Sequence, residues 1–411
     1  MTPQWALIAY LWFCYVLNHA DRQVMYTLFP ALQSEFALSD TVLGLTGALF
    51  LWIYGLCSPI SGILGDRWPR TRVVTGSLIL WSFFTLLTGF AFNGTSLLTL
   101  RALLGVSESL FMPAGYALIA AAHGPQTRSK AIAVFGTSQM FGVAIGGSVS
   151  GWLAEHIHWR VAFWALGTIG ILFALPLWRF FSRVPPSFLR GASEAAATFS
   201  SFLSLFRIPS LWVVTTFVSI GTFGLYLVYT WLPTYYHDRF SLGLASAGFE
   251  ASVYPQIGTI FGLLVGGTLA DKAYGQTAAA RFWIVMAGFC FGGPSIFLLG
   301  QANALETARL ASMAFGFFSG FIAGNQAAAC FDIVPASQRA SAVGVLNLLG
   351  SSVSGFAPFL GGMARRTIGV DRVMVVTSSL YIITAAIILF GIVRLFRRDH
   401  ERSLQTQAAN S

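Results

Sequence analysis

Gly62-Ile63-Leu64-Gly65-Asp66-Arg67 returns as Gly267-Thr268-Leu269-Ala270-Asp271-Lys272, 205 positions further along the chain. Each copy ends a long apolar run and sets a carboxylate beside a cation. A second echo follows. Pro125-Gln126-Thr127-Arg128 leads into Ala131 and Ala133, as Pro335 to Arg339 leads into Ala342 and Gly344, at an offset of 211 when Arg128 is set on Arg339. Two matches at nearly one offset identify an internal duplication covering both halves of the chain.

Composition says what is duplicated. Of 411 residues only 9% are charged, against about 25% in ordinary globular domains. So few charges cannot coat a soluble surface of this size. Hydrophobic residues make up 55% of the chain and the mean hydropathy is +0.70. The apolar residues collect in runs of roughly 20, each long enough to cross a ~30 Å hydrocarbon core. The composition excludes a soluble enzyme, a secreted disulfide scaffold and a nucleic-acid binder; no nucleic-acid partner is expected. Cys14, Cys57, Cys290 and Cys330 all lie within apolar runs, without metal-ligand spacing, and read as small packing residues. No metal or cofactor site is read, and no nucleophile or base constellation marks an enzyme.

Apolar runs read against Gly, Pro and charge clusters predict twelve spans, near 5–31, 40–65, 73–93, 96–121, 129–155, 159–183, 210–237, 243–270, 281–301, 304–330, 338–364 and 370–396. The first run has no basic stretch ahead of it and no small-residue cleavage site after it, so it is expected to be retained. The longest connection, from Val184 to Arg207, is rich in Pro, Ser, Ala and Arg and divides the spans six and six. The expected organisation is an N-terminal six-helix bundle over 1–183, a cytoplasmic linker at 184–209, a C-terminal six-helix bundle over 210–397 and a cytoplasmic tail at 398–411. With the N-terminus inside, sixteen of the 24 Lys and Arg residues fall on the cytoplasmic side, six outside and two, Arg22 and Arg101, within spans. This bias places both termini in the cytoplasm, although Arg365, Arg366 and Arg372 gather on the outer side. The whole is an all-α polytopic membrane protein with the lipid bilayer as its first partner.

Two carboxylates lie deep in apolar sequence, Asp21 and Glu108. A charge there costs several kcal/mol unless it is paired, hydrated or protonated. Asp21 is followed directly by Arg22, and Glu108 lies seven residues from Arg101, two turns along one helical face. Desolvation and a neighbouring arginine act on a carboxyl in opposite senses, and a group held between them can titrate near neutrality, as proton coupling requires. An arginine facing a cavity binds a carboxylate or phosphate through its planar fork. Structural ion pairing of the first span to the fourth is the alternative reading of the same four residues. His19, one turn from the charged pair, either titrates or supports the pair by hydrogen bonding. In the second half Tyr229 and Asn347 head a set of hydroxyl and amide side chains that either line a cavity or bond between helices.

Six spans repeated twice, with Gly62-x-x-Gly65-Asp66-Arg67-x-x-Arg70-x-Arg72 after the second, resemble the major facilitator superfamily over essentially the whole chain. Pro69 stands where the family pattern usually has Gly. The resemblance implies two pseudo-symmetric six-helix bundles around a central substrate cavity, working by alternating access. It also implies a cytoplasmic latch, carried here by Asp66, Arg67 and Arg70, with Asp271 in the weaker second copy. Asn18-His19-Ala20-Asp21-Arg22 in the first span and Arg101-x-x-x-Gly105-x-x-Glu108 with Pro113 in the fourth are similar to the anion:cation symporter branch. That likeness implies Asp21 and Glu108 as proton carriers, with Arg101 beside them, and Arg22 as the anion ligand. Tyr54, Gln139 and Asn347 match substrate-contacting positions of the branch, whereas His19 stands where sugar-acid members often have Tyr. The implied activity is proton-coupled symport of a small organic anion, a sugar acid or other carboxylate, across a bacterial inner membrane by a monomer, with the proton as coupling ion. Spinster-like export or lysolipid transport is the alternative, since such relatives share the first-span Asp-Arg and a fourth-span Glu. Drug antiport is a further one, although Gly142-Val143-Ala144-Ile145-Gly146-Gly147 lacks the proline of the antiporter signature.

Overall fold

The computed structural model describes residues 2–185, 205–335, 338–365 and 367–410, with the backbone alone at 62–63, 65–67, 125–126, 129, 339–341 and 406–410. Among the described residues every regular element is helical and no strand occurs. In chain order the helices are α1 (Pro3–Thr27), α2 (Phe29–Phe36), α3 (Asp40–Arg67), α4 (Arg70–Thr88), α5 (Gly94–Ser109), α6 (Phe111–Ala122), α7 (Pro125–His156) and α8 (Trp159–Arg183). The second half continues with α9 (Pro209–Phe240), α10 (Leu244–Tyr274), α11 (Ala280–Gly300), α12 (Leu305–Phe331), α13 (Arg339–Ser354), α14 (Phe356–Arg365), α15 (Val370–Gly391) and α16 (Arg397–Asn410). They form twelve spans, with α5 and α6 making one and α13 and α14 another. Ten spans are apolar enough to be recognised by length and composition alone. The two others are α1, which carries the polar run Asn18, His19, Asp21, Arg22 and Gln23, and α12, which is diluted by Gly, Ser, Asn325 and Gln326.

Local chemistry sets the ends and the breaks. Ser39 accepts from the Val42 amide at 3.3 Å to start α3, with Asp40 in the first turn. Asn93 accepts from the Ser96 amide at 2.8 Å while Ser96 Oγ accepts from the Asn93 amide at 3.2 Å, a reciprocal cap that opens α5. The predicted runs 5–31, 96–121 and 338–364 are each interrupted, at Leu28, Leu110 and Gly355. Pro30, Pro113 and Pro358 lie two or three residues beyond each interruption. A proline has no N–H for the carbonyl four residues back, and its ring crowds that carbonyl, so the helix breaks in the preceding turn.

The chain forms two compact units, one of Met1–Glu194, Tyr229–Val253 and Pro358–Met363, the other of Ala195–Val228, Tyr254–Ala357 and Ala364–Ser411. In the first unit α1 packs along α7, α3 along α5 and α4 along α8. The α1–α7 contact depends on small residues: a Cβ on Gly146 would stand 2.6 Å from Ala20 Cα, so only glycine lets the two backbones meet. In the second unit α11 is central, packing on α12 and α15. The tail helix α16 is docked there: Asp399 accepts from the Ser210 amide at 2.8 Å, and His400 Nδ1 lies 2.7 Å from the Asp332 carbonyl.

Candidate functional site: a buried charge cluster on the first helix

Adjacent residues on a helix point about 100° apart, so Asp21 and Arg22 cannot serve the same neighbour. Arg22 turns to α5. Its Nε donates to Glu108 Oε2 at 2.9 Å, and its Nη2 reaches the same oxygen at 2.8 Å. Glu108 Oε1 has no hydrogen-bond partner among the described residues. The guanidinium lies over two aromatic faces of α3, with its carbon 4.7 Å from the Phe50 ring centre and 5.0 Å from that of Tyr54. Gly105 makes this possible: a Cβ there would stand 2.8 Å from the Phe50 carbonyl oxygen, so α5 can approach α3 only where the side chain is missing.

Asp21 turns to α4, where Thr85 Oγ1 donates to its Oδ2 at 2.9 Å. Its Oδ1 has no hydrogen-bond partner among the described residues. Arg101, from α5, directs Nη2 to the backbone carbonyl of Asp21 at 3.3 Å rather than to its carboxylate, and its guanidinium carbon lies 6.0 Å from the Phe50 ring. Phe50 therefore lies within cation–π reach of two arginines. All four charged residues are at most 9% exposed, and Glu108 is fully enclosed. With both carboxylates ionised the cluster is neutral, two charges of each sign.

The remaining sequence candidates divide. His19 is buried, with its ring 4.4 Å from that of Tyr15 and its Nε2 without a hydrogen-bond partner among the described residues. Gln139 is half-buried on α7, one turn before Gly142, where an added Cβ would touch His19 Cβ at 2.7 Å. Tyr54 belongs to the cluster through Arg22. Tyr229 is buried on α9 within the first unit. Asn347 on α13 and Asp271 near the end of α10 are exposed and belong to the second unit. Arg70 begins α4 and is half-buried. The side chains of Asp66 and Arg67 lie outside the described residues.

Two members escaped sequence reading. Phe50 is one of 37 phenylalanines, and nothing in its neighbourhood marks it. Thr85 had a faint signal, since Ser82, Thr85 and Thr88 recur every three residues and all are buried. Glu250 is a buried carboxylate that the sequence does not single out. It is buried six residues inside α10, because that helix begins at Leu244 and its first turns are covered within the first unit.

Residues 11–358 match the Major Facilitator Superfamily. The chain belongs to the major facilitator superfamily. Among the relatives of this major facilitator protein is an uncharacterized transporter, YybO, of Bacillus subtilis (strain 168), 29% identical over 319 residues and covering 72% of each chain. A probable L-galactonate transporter of Escherichia coli (strain K12) is 25% identical over 369 residues, covering 86% of this chain and 81% of that one. The fold is that of a bacterial homolog to the human lysosomal transporter Spinster, solved in an inward-facing and unoccupied conformation, with a TM-score of 0.85 at 22% identity over 97% of this chain and 98% of that one. Family and fold make the chain an integral membrane transporter.

Proposed function

We propose that this transporter carries a small organic anion, a sugar acid or similar carboxylate, together with protons. The observation that carries the reading is the Arg22–Glu108 pair: a fully buried carboxylate holds a buried guanidinium that is also spread over two aromatic faces. A substrate carboxylate offers Arg22 the same chemistry as Glu108, so the two compete for one cation. The resemblance of the chain to a probable L-galactonate transporter supports the anion being a sugar acid.

Charge bookkeeping supplies the coupling. The four-residue cluster is neutral when both carboxylates are ionised, and an anion arriving at Arg22 would leave it with an excess negative charge in a poorly solvated site. Binding a proton on Glu108 or Asp21 removes that excess, and protonation of Glu108 also releases Arg22. Anion and proton therefore stabilise the same state, while each alone is disfavoured. Proton loss to the other side restores the internal pair and expels the anion. No cofactor is needed beyond the proton. The latch at Asp66, Arg67 and Arg70, the substrate contacts of His19, Tyr54, Gln139, Tyr229 and Asn347, a cytoplasmic location of both termini and a bacterial inner membrane complete the proposal.

The test uses purified protein in liposomes loaded with a pH-sensitive dye, challenged with sugar acids, aromatic carboxylates and lysolipids. Internal acidification on adding a carboxylate, abolished in Glu108→Gln, is the expected result. Internal alkalinisation would indicate antiport. Lysolipid binding without any response to carboxylates would replace this reading with a Spinster-like one.

A further inference from the structure

Helical threonines in this protein usually donate their hydroxyl to a carbonyl one turn back. Thr88 donates to Phe84 O at 2.8 Å, Thr222 to Val218 O at 2.7 Å and Thr259 to Pro255 O at 2.8 Å. Thr85 is 2% exposed and departs from that habit, because its hydroxyl donates across to Asp21 Oδ2. This is the one hydrogen bond recorded for the Asp21 carboxylate among the described residues, since Oδ1 has none. Of the charged groups around Asp21, Arg22 on its own helix is committed to Glu108, and Arg101 from α5 is bonded to the Asp21 backbone. Glu108, also from α5, acts on it as a like charge. The helices α7 and α8, packed against α1, carry their charged residues near their ends.

We propose that Thr85 is the positioning residue of the Asp21 carboxylate, and that through it Asp21 gains and loses a proton without disturbing the Arg22–Glu108 pair. A hydroxyl suits this task because it donates to an ionised carboxylate and, rotated, accepts from a protonated one. An arginine in the same place could only donate. The two buried carboxylates then have separate duties: Glu108 competes for the anion ligand, while Asp21 changes protonation against a neutral partner carried by α4. Fixing the Asp21 backbone through Arg101 keeps the carboxylate in reach of Thr85 in both states. This assignment rests on the proton-coupled reading above for its part in transport, but not for the hydrogen bond itself.

The experiment compares wild type, Thr85→Val, Thr85→Ser and Asp21→Asn by pH-titrated infrared difference spectroscopy of the purified protein, alongside substrate exchange in liposomes at fixed pH. The carboxyl band absent from Asp21→Asn is the reporter. In Thr85→Val its titration midpoint is expected to move by about one pH unit to higher pH, because the ionised form has lost a hydrogen-bond donor. Thr85→Ser is expected to restore the midpoint. An unchanged midpoint in Thr85→Val overturns the proposal, as does a shift that Thr85→Ser fails to reverse. Loss of exchange and of thermal stability together, with the midpoint unmoved, assigns Thr85 to packing alone. If the midpoint moves as expected but wild type carries no proton with substrate, the proton-coupled reading fails and the positioning role stands.

Discussion

Two arginine–glutamate pairs among the described residues of the first unit have the same length and opposite character. Arg22 meets Glu108 at 2.8 Å with side-chain exposures of 10% and 0%; Arg160 meets Glu35 at 2.8 Å with 23% and 37%. Both arginines also lie over aromatic rings, Arg22 over Phe50 and Tyr54 and Arg160 over Trp159 at 4.4 Å. Geometry alone does not separate them. Water does: the exposed pair can exchange its partner for solvent at little cost, whereas the buried pair has no such option and holds its energy until another ion or a proton takes one partner's place. That difference makes one pair a surface tether and the other a candidate switch.

The comparison breaks most sharply at Glu108. Glu108→Ala leaves Arg22 buried without its carboxylate and is expected to cost about 3–5 kcal/mol, read as a large fall in the melting temperature of the detergent-solubilised protein, with concentrative uptake lost. A small loss of stability would mean that Arg22 finds another partner at once. Next comes the double variant Arg22→Met with Glu108→Leu, which replaces the ion pair by apolar volume. Most of the stability lost in Glu108→Ala is expected to return, since such swaps are often neutral, while transport stays absent. Recovered transport would show the pair to be structural only.

A smaller effect separates ring from volume. Phe50→Leu keeps an apolar side chain beneath Arg22 and removes the π face, with an expected loss of about 1–2 kcal/mol in stability and weaker substrate binding in a titration assay. The smallest effect belongs to the exposed pair. Glu35→Gln is expected to leave uptake unchanged, and its influence on stability should vanish in high salt. The pH dependence has a definite sign. The hydrogen bond from Arg160 holds the Glu35 carboxyl below its ordinary range, so its contribution is present above the unfolded-state value and is lost as pH falls through the depressed folded value. Melting curves of wild type and Glu35→Gln should therefore converge in acid and differ slightly at neutral pH. Divergence in acid would reverse the assignment.

Much of the architecture is legible along the chain. Twelve spans, the duplicated Asp-cation loop and the family all follow from residue order, because a helix crossing a bilayer must be a long apolar run whatever it packs against. The expense of burying charge likewise singles out Asp21, Arg22, Arg101 and Glu108 before any packing is known. Partner choice is not legible. Asp21 and Arg22 are neighbours in sequence and read as a pair, yet a helix sends successive side chains in different directions, and tertiary structure gives Arg22 to Glu108 and Asp21 to Thr85. Arg101 and Glu108 share one face of α5, yet Arg101 reaches the Asp21 backbone and not a carboxylate. The sequence by itself determined which charges enter the membrane. Only tertiary packing, with α5 brought against α3 where Gly105 lacks a side chain, a ring supplied by Phe50 and a hydroxyl by Thr85, decided how those charges are shared. The physical reason is that burial cost depends on residue type and can be read locally, whereas hydrogen bonding and ion pairing depend on distances of about 3 Å that packing alone sets.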